Sequence, residues 1–133
     1  MGETGRLGWV IVYVDDVAAA VDLYERAFGL RRAFIDPSGI FGQMATGETA
    51  LAFAERGLAA GNLPHGYRAP DPAEPPFNIE LALVFDDVEA AYARALAEGC
   101  TALAPPELKP HGQTVAYVRD PFGTLVEVAS PVS

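Results

Sequence analysis

The chain has 133 residues, half of them hydrophobic and 20% charged, a composition that fits one globular domain and excludes a disordered or fibrous chain. A formal net charge of −9, with the Lys and Arg residues scattered apart from Arg31-Arg32, sets the surface against phosphate backbones, so no nucleic-acid partner is expected. No apolar run of about 18 residues is free of charge, and "MGETGR" lacks a basic segment followed by an apolar one, so the expectation is a cytoplasmic protein with no membrane partner.

The first predicted strand lies in "GWVIVYV", Gly8–Val14, where Val10, Val12 and Val14 form one apolar set and Trp9, Ile11 and Tyr13 the other. Asp15-Asp16 then offers an N-cap to the helical stretch "VAAAVDLYERAFG", whose apolar residues Val17, Val21, Tyr24 and Phe28 recur at helical spacing before Gly29 stops it. Three strand-like segments follow, "RRAFI", "IFGQMAT" and "TALAFA". Glu55 to Pro76 contains Pro64, Pro70, Pro72, Pro75 and Pro76 and is expected to be irregular, a long connector or a flap.

The same phrase then begins again. A shift of 71 places, the separation of Trp9 from Glu80, aligns Val12 with Leu83, Val14 with Phe85 and Asp15-Asp16 with Asp86-Asp87. The second helix is "VEAAYARALAEG", and its strands are "TALAP", "QTVAYVR" and "TLVEVA". Asp120-Pro121-Phe122-Gly123 between the last two suits a type I turn, with an apolar residue at its tip. The fold class expected is therefore α+β: two βαβββ repeats forming a curved mixed sheet with a central cleft. Repeat one covers residues 6–55, the Pro-rich connector 56–76 and repeat two 77–130, within a single domain 1–133.

In each repeat the helix covers one sheet face and leaves the other open, and strand alternation assigns Trp9, Ile11 and Tyr13, with Glu80, Ala82 and Val84, to the open side. Trp9 either stacks on a planar guest or fills space in the cleft. Cleft-facing carboxylates either receive an amine or guanidinium, share a proton, or are half-exposed groups satisfied by Gln113, Thr114 or water. His65 and His111 fall in loops, and the lone Cys100 is expected to be a packed, unreactive residue. The chain contains no phosphate-binding Gly-rich signature, no Gly-x-Ser-x-Gly elbow and no His-Glu-x-x-His helix.

Through "VYVDDVAAAVDLYERAFGL", "LALVFDDVEAAYARALAEGC" and "HGQTVAYVRDPFGTLVEVASP", the chain resembles the vicinal oxygen chelate superfamily of glyoxalase I, bleomycin-resistance proteins and extradiol dioxygenases. In metal-dependent members the resemblance implies up to four ligands, from the first and last strands of each repeat. Those positions are Trp9, Ala52, Glu80 and Glu127 here, so two are an indole and a methyl group, and no metal or other cofactor is expected. Within that resemblance the two missing ligands and the acidic charge motivate the expectation of a binding protein of the bleomycin-resistance type that sequesters an aromatic or cationic small molecule, with Trp9, Ile11, Tyr13, Ala52, Glu80, Ala82 and Glu127 as ligand-binding residues and no catalytic residue. The resemblance further implies a homodimer. The alternative is a glyoxalase- or dioxygenase-like enzyme, either a divergent metal-dependent lyase or isomerase or a cofactor-free acid/base catalyst using the two glutamates.

Overall fold

The computed structural model describes residues 2–132 and divides into two compact units, one running to Glu25 and including Gly29–Tyr67, the other holding Arg26–Phe28 and the chain from Arg68 onward. The division falls inside the connector. Among the described residues no helix is long and apolar enough to cross a membrane.

In the first unit β1 (Trp9–Val14) leads through Asp15-Asp16 into α1 (Val17–Phe28), followed by β2 (Arg31–Ile35), β3 (Phe41–Ala45) and β4 (Ala50–Glu55). The strands form one sheet in the order β1-β4-β3-β2, with β1 and β4 parallel and the other neighbours antiparallel. The helix starts where the sequence provides a cap: Asp16 Oδ1 accepts the N–H of Ala19 at 3.0 Å. It stops at Gly29, whose φ of 68° lets its own N–H and that of Leu30 turn back onto the last carbonyls of α1.

Burial of Val17, Val21 and Tyr24 against Val14, Met44 and Phe53 holds the helix on the sheet, with the Tyr24 and Phe53 rings 4.9 Å apart. The helix sits close: a Cβ added to Gly42 would lie 2.9 Å from methyls of both Val17 and Val21. Fully buried valines at β-strand and helical spacing thus define the packed face, and everything of opposite parity in the strands points away from it.

The second unit repeats the plan. β5 (Glu80–Val84), α3 (Val88–Ala97), β6 (Thr101–Leu108), β7 (Thr114–Arg119) and β8 (Leu125–Ala129) give a sheet of order β5-β8-β7-β6, with β5 and β8 parallel. Asp87 caps α3 through a 3.0 Å bond from Ala90 N–H, and Val88, Ala91 and Ala95 are buried on the side that packs against the sheet carrying Val118, Val126 and Val128. β6 continues through Pro105-Pro106 beyond the expected "TALAP". It is the edge strand, and its register with β7 breaks between Ala104 and Glu107, so the missing proline donors leave no ladder bond unmade.

The connector departs from expectation in one place. Arg56–Asn62 forms a helix, α2, because the prolines begin only at Pro64 and because Glu55 accepts the Gly57 N–H at 3.2 Å as an N-cap. Further along, Arg119 spends its guanidinium on backbone carbonyls: Nε donates to Gly123 O at 3.1 Å, Nη1 to Glu74 O at 2.7 Å and Nη2 to Asp71 O at 3.3 Å. Pro70 meanwhile packs onto Gly123 of the Asp120–Gly123 turn. That turn closes through Gly123 N–H to Asp120 O at 3.1 Å, while Asp120 Oδ1 takes the N–H groups of Phe122 and Thr124. Phe122 at the tip is half-buried.

Candidate functional site

Each sheet presents one face to its helix and one face away from it, and the register fixes which residues share the open face. In the first unit Trp9 pairs with Ala50, Ile11 with Ala52 and Tyr13 with Ala54, and across the next ladder Ala52 pairs with Gln43 and Ala54 with Phe41. The open face therefore carries two full rows, Ile11–Ala52–Gln43 and Tyr13–Ala54–Phe41, with Trp9–Ala50 beside the first. Trp9, Ile11, Tyr13 and Ala52 are brought together here.

The indole of Trp9 does more than lie on β1. Its Nε1 donates to Gln43 Oε1 at 3.1 Å, and because β4 runs between β1 and β3, that bond spans the central strand. Small side chains beneath make this geometry available. Ala50 and Ala52 are buried, Ala52 completely, whereas Trp9 keeps 56% of its surface exposed. A bulkier residue at 52 would occupy the space beneath the bridge and separate the hydrogen-bond partners. An indole with its edge anchored and much of its surface open presents a fixed plane for stacking.

In the second unit the corresponding rows are Glu80–Leu125–Arg119 and Ala82–Glu127–Tyr117. Glu80, Ala82 and Glu127 thus share one open face, and Tyr117 joins them through a 3.0 Å hydrogen bond from its hydroxyl to Glu127 Oε1. Partial burial, and then the negative charge of Glu127, hold the Glu80 carboxyl above the ordinary glutamate range. Burial, the hydrogen bond to Glu127 and the charges of Glu127 and Glu80 raise the Tyr117 phenol likewise. Glu80, Glu127 and Tyr117 form one electrostatically connected cluster.

The partner of Glu127 is thus Tyr117, not the expected Gln113 or Thr114. Gln113 is turned toward the end of β8, where its Nε2 donates to Ser130 O at 2.8 Å and its Oε1 meets the ring of His111, and the Thr114 N–H is taken by Ser130 Oγ. His65 and His111 are exposed, and Cys100 is buried with its thiol pushed up to about 12 by desolvation and then by Asp120.

Sequence reasoning missed Gln43 and the hydrogen bond that ties Tyr117 to Glu127. The two residues are equivalent, since Gln43 pairs with Ala52 as Tyr117 pairs with Glu127, and the signal lay in a polar group centred in each third strand, "FGQMA" and "TVAYVR". A further miss is Tyr67 of the connector, whose ring centroid lies 5.0 Å from that of Tyr13. No periodicity announces that contact.

The residues at the four matched positions do not fit a resident metal. The indole nitrogen is a donor already engaged with Gln43, Ala52 has no ligand atom, and among the described residues no group of three or more His, Cys, Asp or Glu side chains gathers as a metal-holding cluster. A surface cavity of about 470 Å³ in the second unit is lined by Asp86, Asp87, Val88, Glu89, Thr114 and Ser130, none of which belongs to the Glu80–Glu127–Tyr117 cluster.

Residues 6–128 match the family model for the Glyoxalase/Bleomycin resistance protein/Dioxygenase superfamily. Among curated proteins none matches the chain. Solved structures with the same fold include a glyoxalase-related enzyme from Fulvimarina pelagi, with a TM-score of 0.82 at 20% identity over 96% of this chain and 89% of that one. TioX from Micromonospora sp. ML1 gives 0.68 at 22% identity, covering 95% and 98%, and lactoylglutathione lyase from Agrobacterium tumefaciens 0.67 at 21%, covering 96% and 95%. At such identities the likeness is one of fold.

Proposed function

The chain belongs to the Glyoxalase/Bleomycin resistance protein/Dioxygenase superfamily, and from that premise we propose that it is a metal-free small-molecule-binding protein of the bleomycin-resistance type, sequestering an aromatic or cationic compound. The observation that carries this reading is the Trp9 indole, held across a floor of alanines by Gln43 with its remaining surface open. Stacking on such a plane contributes about 0.5–1.5 kcal/mol beyond burial. Within the first unit Ile11, Tyr13 and Ala52 continue the apolar wall; taken by itself, the open face of the second unit carries Glu80 and Glu127 beside Ala82, acceptors for an ammonium or guanidinium, each charged hydrogen bond adding about 1.5–3 kcal/mol. Sequestration requires affinity alone, and no proton, electron or leaving group has to move. We further propose that the protein acts as a homodimer, which sedimentation equilibrium reads directly.

The test uses the lone tryptophan as reporter. A panel of planar and cationic antibiotics is titrated against indole emission, with the melting temperature followed in parallel. Saturable quenching with a rise in melting temperature is expected for at least one member, and a panel that leaves both unchanged refutes the reading. Metal analysis of the purified protein is the second check: stoichiometric, chelator-removable metal overturns the metal-free assignment in favour of a lyase, isomerase or dioxygenase.

One observation favours the enzymatic alternative. Glu80 and the Tyr117-bonded Glu127 lie on one open face, where partial burial and the charge of Glu127 hold the Glu80 carboxyl above the ordinary glutamate range, a placement of two carboxyls suited to acid/base work. Exchange of solvent deuterium into a panel of α-hydroxycarbonyl compounds, lost in Glu127→Gln, would establish that reading in place of simple binding.

A further inference from the structure

The proposed binding reading uses Tyr13 but leaves the rings around it unused. The row next to the Trp9–Gln43 bridge is Tyr13–Ala54–Phe41, and further rings flank it: Phe34, which pairs with Gln43 on β3, lies diagonally 6.1 Å from Phe41, and Tyr67 of the connector lies 5.0 Å from Tyr13, each measured between centroids. Phe34, Phe41, Tyr13 and Tyr67 thus make an aromatic band across the open face from β2 to the connector, interrupted only by Ala54, which is itself buried.

The band is not core. Phe34 is 46% and Tyr67 37% exposed, and Phe41 and Tyr13 are half-buried, so four neighbouring aromatic side chains meet solvent on the face opposite the helix. Its spacing from the first stacking plane follows from the register. Gln43, where the indole is anchored, stands in the Ile11 row, two residues from the Tyr13 row, a separation of roughly 7 Å along the strand at the usual rise per residue. One aromatic ring on Trp9 reaches its own plane only. A guest several rings long reaches both.

We propose that this band is a second aromatic subsite and that the ligand is an elongated polycyclic aromatic compound, cationic in keeping with a chain of net charge −9, with Tyr67 as the contact that the connector contributes. The inference rests on the binding function proposed above and adds the shape of the guest. Tyr67 is the informative residue because it lies outside both sheets and reaches the band through its ring contact with Tyr13, near Arg56 and Asp15, which form a 2.8 Å ion pair between the start of α2 and the residue after β1. Removing its ring takes the contact with Tyr13 but no residue or ladder bond of the sheet.

The test uses two named probes, benzamidine with one ring and proflavine with three, titrated calorimetrically against wild type, Tyr67→Ala and Tyr67→Phe, with Trp9 emission as a separate readout. The expected results are tighter binding of proflavine than of benzamidine, a roughly 2- to 10-fold loss of proflavine affinity in Tyr67→Ala, recovery in Tyr67→Phe, and no change for benzamidine. Wild-type proflavine affinity in Tyr67→Ala, with Trp9 quenched by both probes, overturns the second subsite and leaves the binding function standing. Equal losses for both probes overturn it as well, since a reshaped Trp9 plane explains them. Neither probe binding overturns the subsite for these polycyclic cations, while the antibiotic panel decides the binding function.

Discussion

Replacing Gly123 by Ala measures how firmly the connector is tied to the second unit. Gly123 has φ of 99° and Pro70 packed against it, with the ring Cγ only 3.0 Å from where a Cβ would stand and the ring Cβ closer still. Gly47 makes the natural control, since its φ is 97° and nothing lies within 4 Å of its absent Cβ. Both substitutions force an L residue into a backbone region it disfavours, which costs about 1–3 kcal/mol. Only Gly123→Ala adds the collision with Pro70, an overpacking term of about 1–3 kcal/mol more.

At about 3–5 °C per kcal/mol for a chain of this size, Gly47→Ala is expected to melt some degrees below wild type and Gly123→Ala at least about 3 °C lower again. Relief of the collision also has a local route: the segment bearing Pro70, Asp71 and Glu74 can lift away from Gly123 and Arg119. Limited trypsinolysis at Arg68–Ala69 should then accelerate in Gly123→Ala and not in Gly47→Ala. Equal melting temperatures together with equal cleavage rates in the two variants would refute the docking of the connector through Pro70.

Gln43→Leu removes the acceptor that holds the indole across β4, and with the partner exposed the stability cost is expected to stay near 0.5–1.5 kcal/mol while the affinity of planar probes falls severalfold; circular dichroism melts and Trp9 titrations separate the two. Glu80→Gln tests the sign of the carboxyl coupling. A folded-state value raised above the unfolded one gives stability that is present below the ordinary glutamate range and lost as pH rises through the folded value, so the variant should equal or slightly exceed wild type in melting temperature at pH 7, and the difference should vanish in acid and shrink with salt. Cys100, buried and with its thiol near 12, should react with a disulfide reagent at pH 8 only after denaturation; rapid labelling of the folded protein would contradict its placement.

The doubled phrase ending in Asp-Asp was enough to establish two βαβββ units, because each element is encoded locally: valines at period two for the strands, an Asp cap, apolar residues at helical spacing, a glycine stop. The same alternation assigned Trp9, Ile11, Tyr13, Glu80 and Ala82 to open faces, since side-chain parity is a property of the strand alone. Composition around the connector misled in one respect, because prolines from Pro64 onward say nothing about the proline-free turn of chain that forms α2. What required the tertiary structure was everything between strands. The Trp9–Gln43 bridge exists because β4, last in its repeat, is inserted between β1 and β3, and the Glu127–Tyr117 bond and the aromatic band likewise depend on register across ladders. Local sequence signals which way a side chain points, while its partners are chosen by which strand the fold sets beside it.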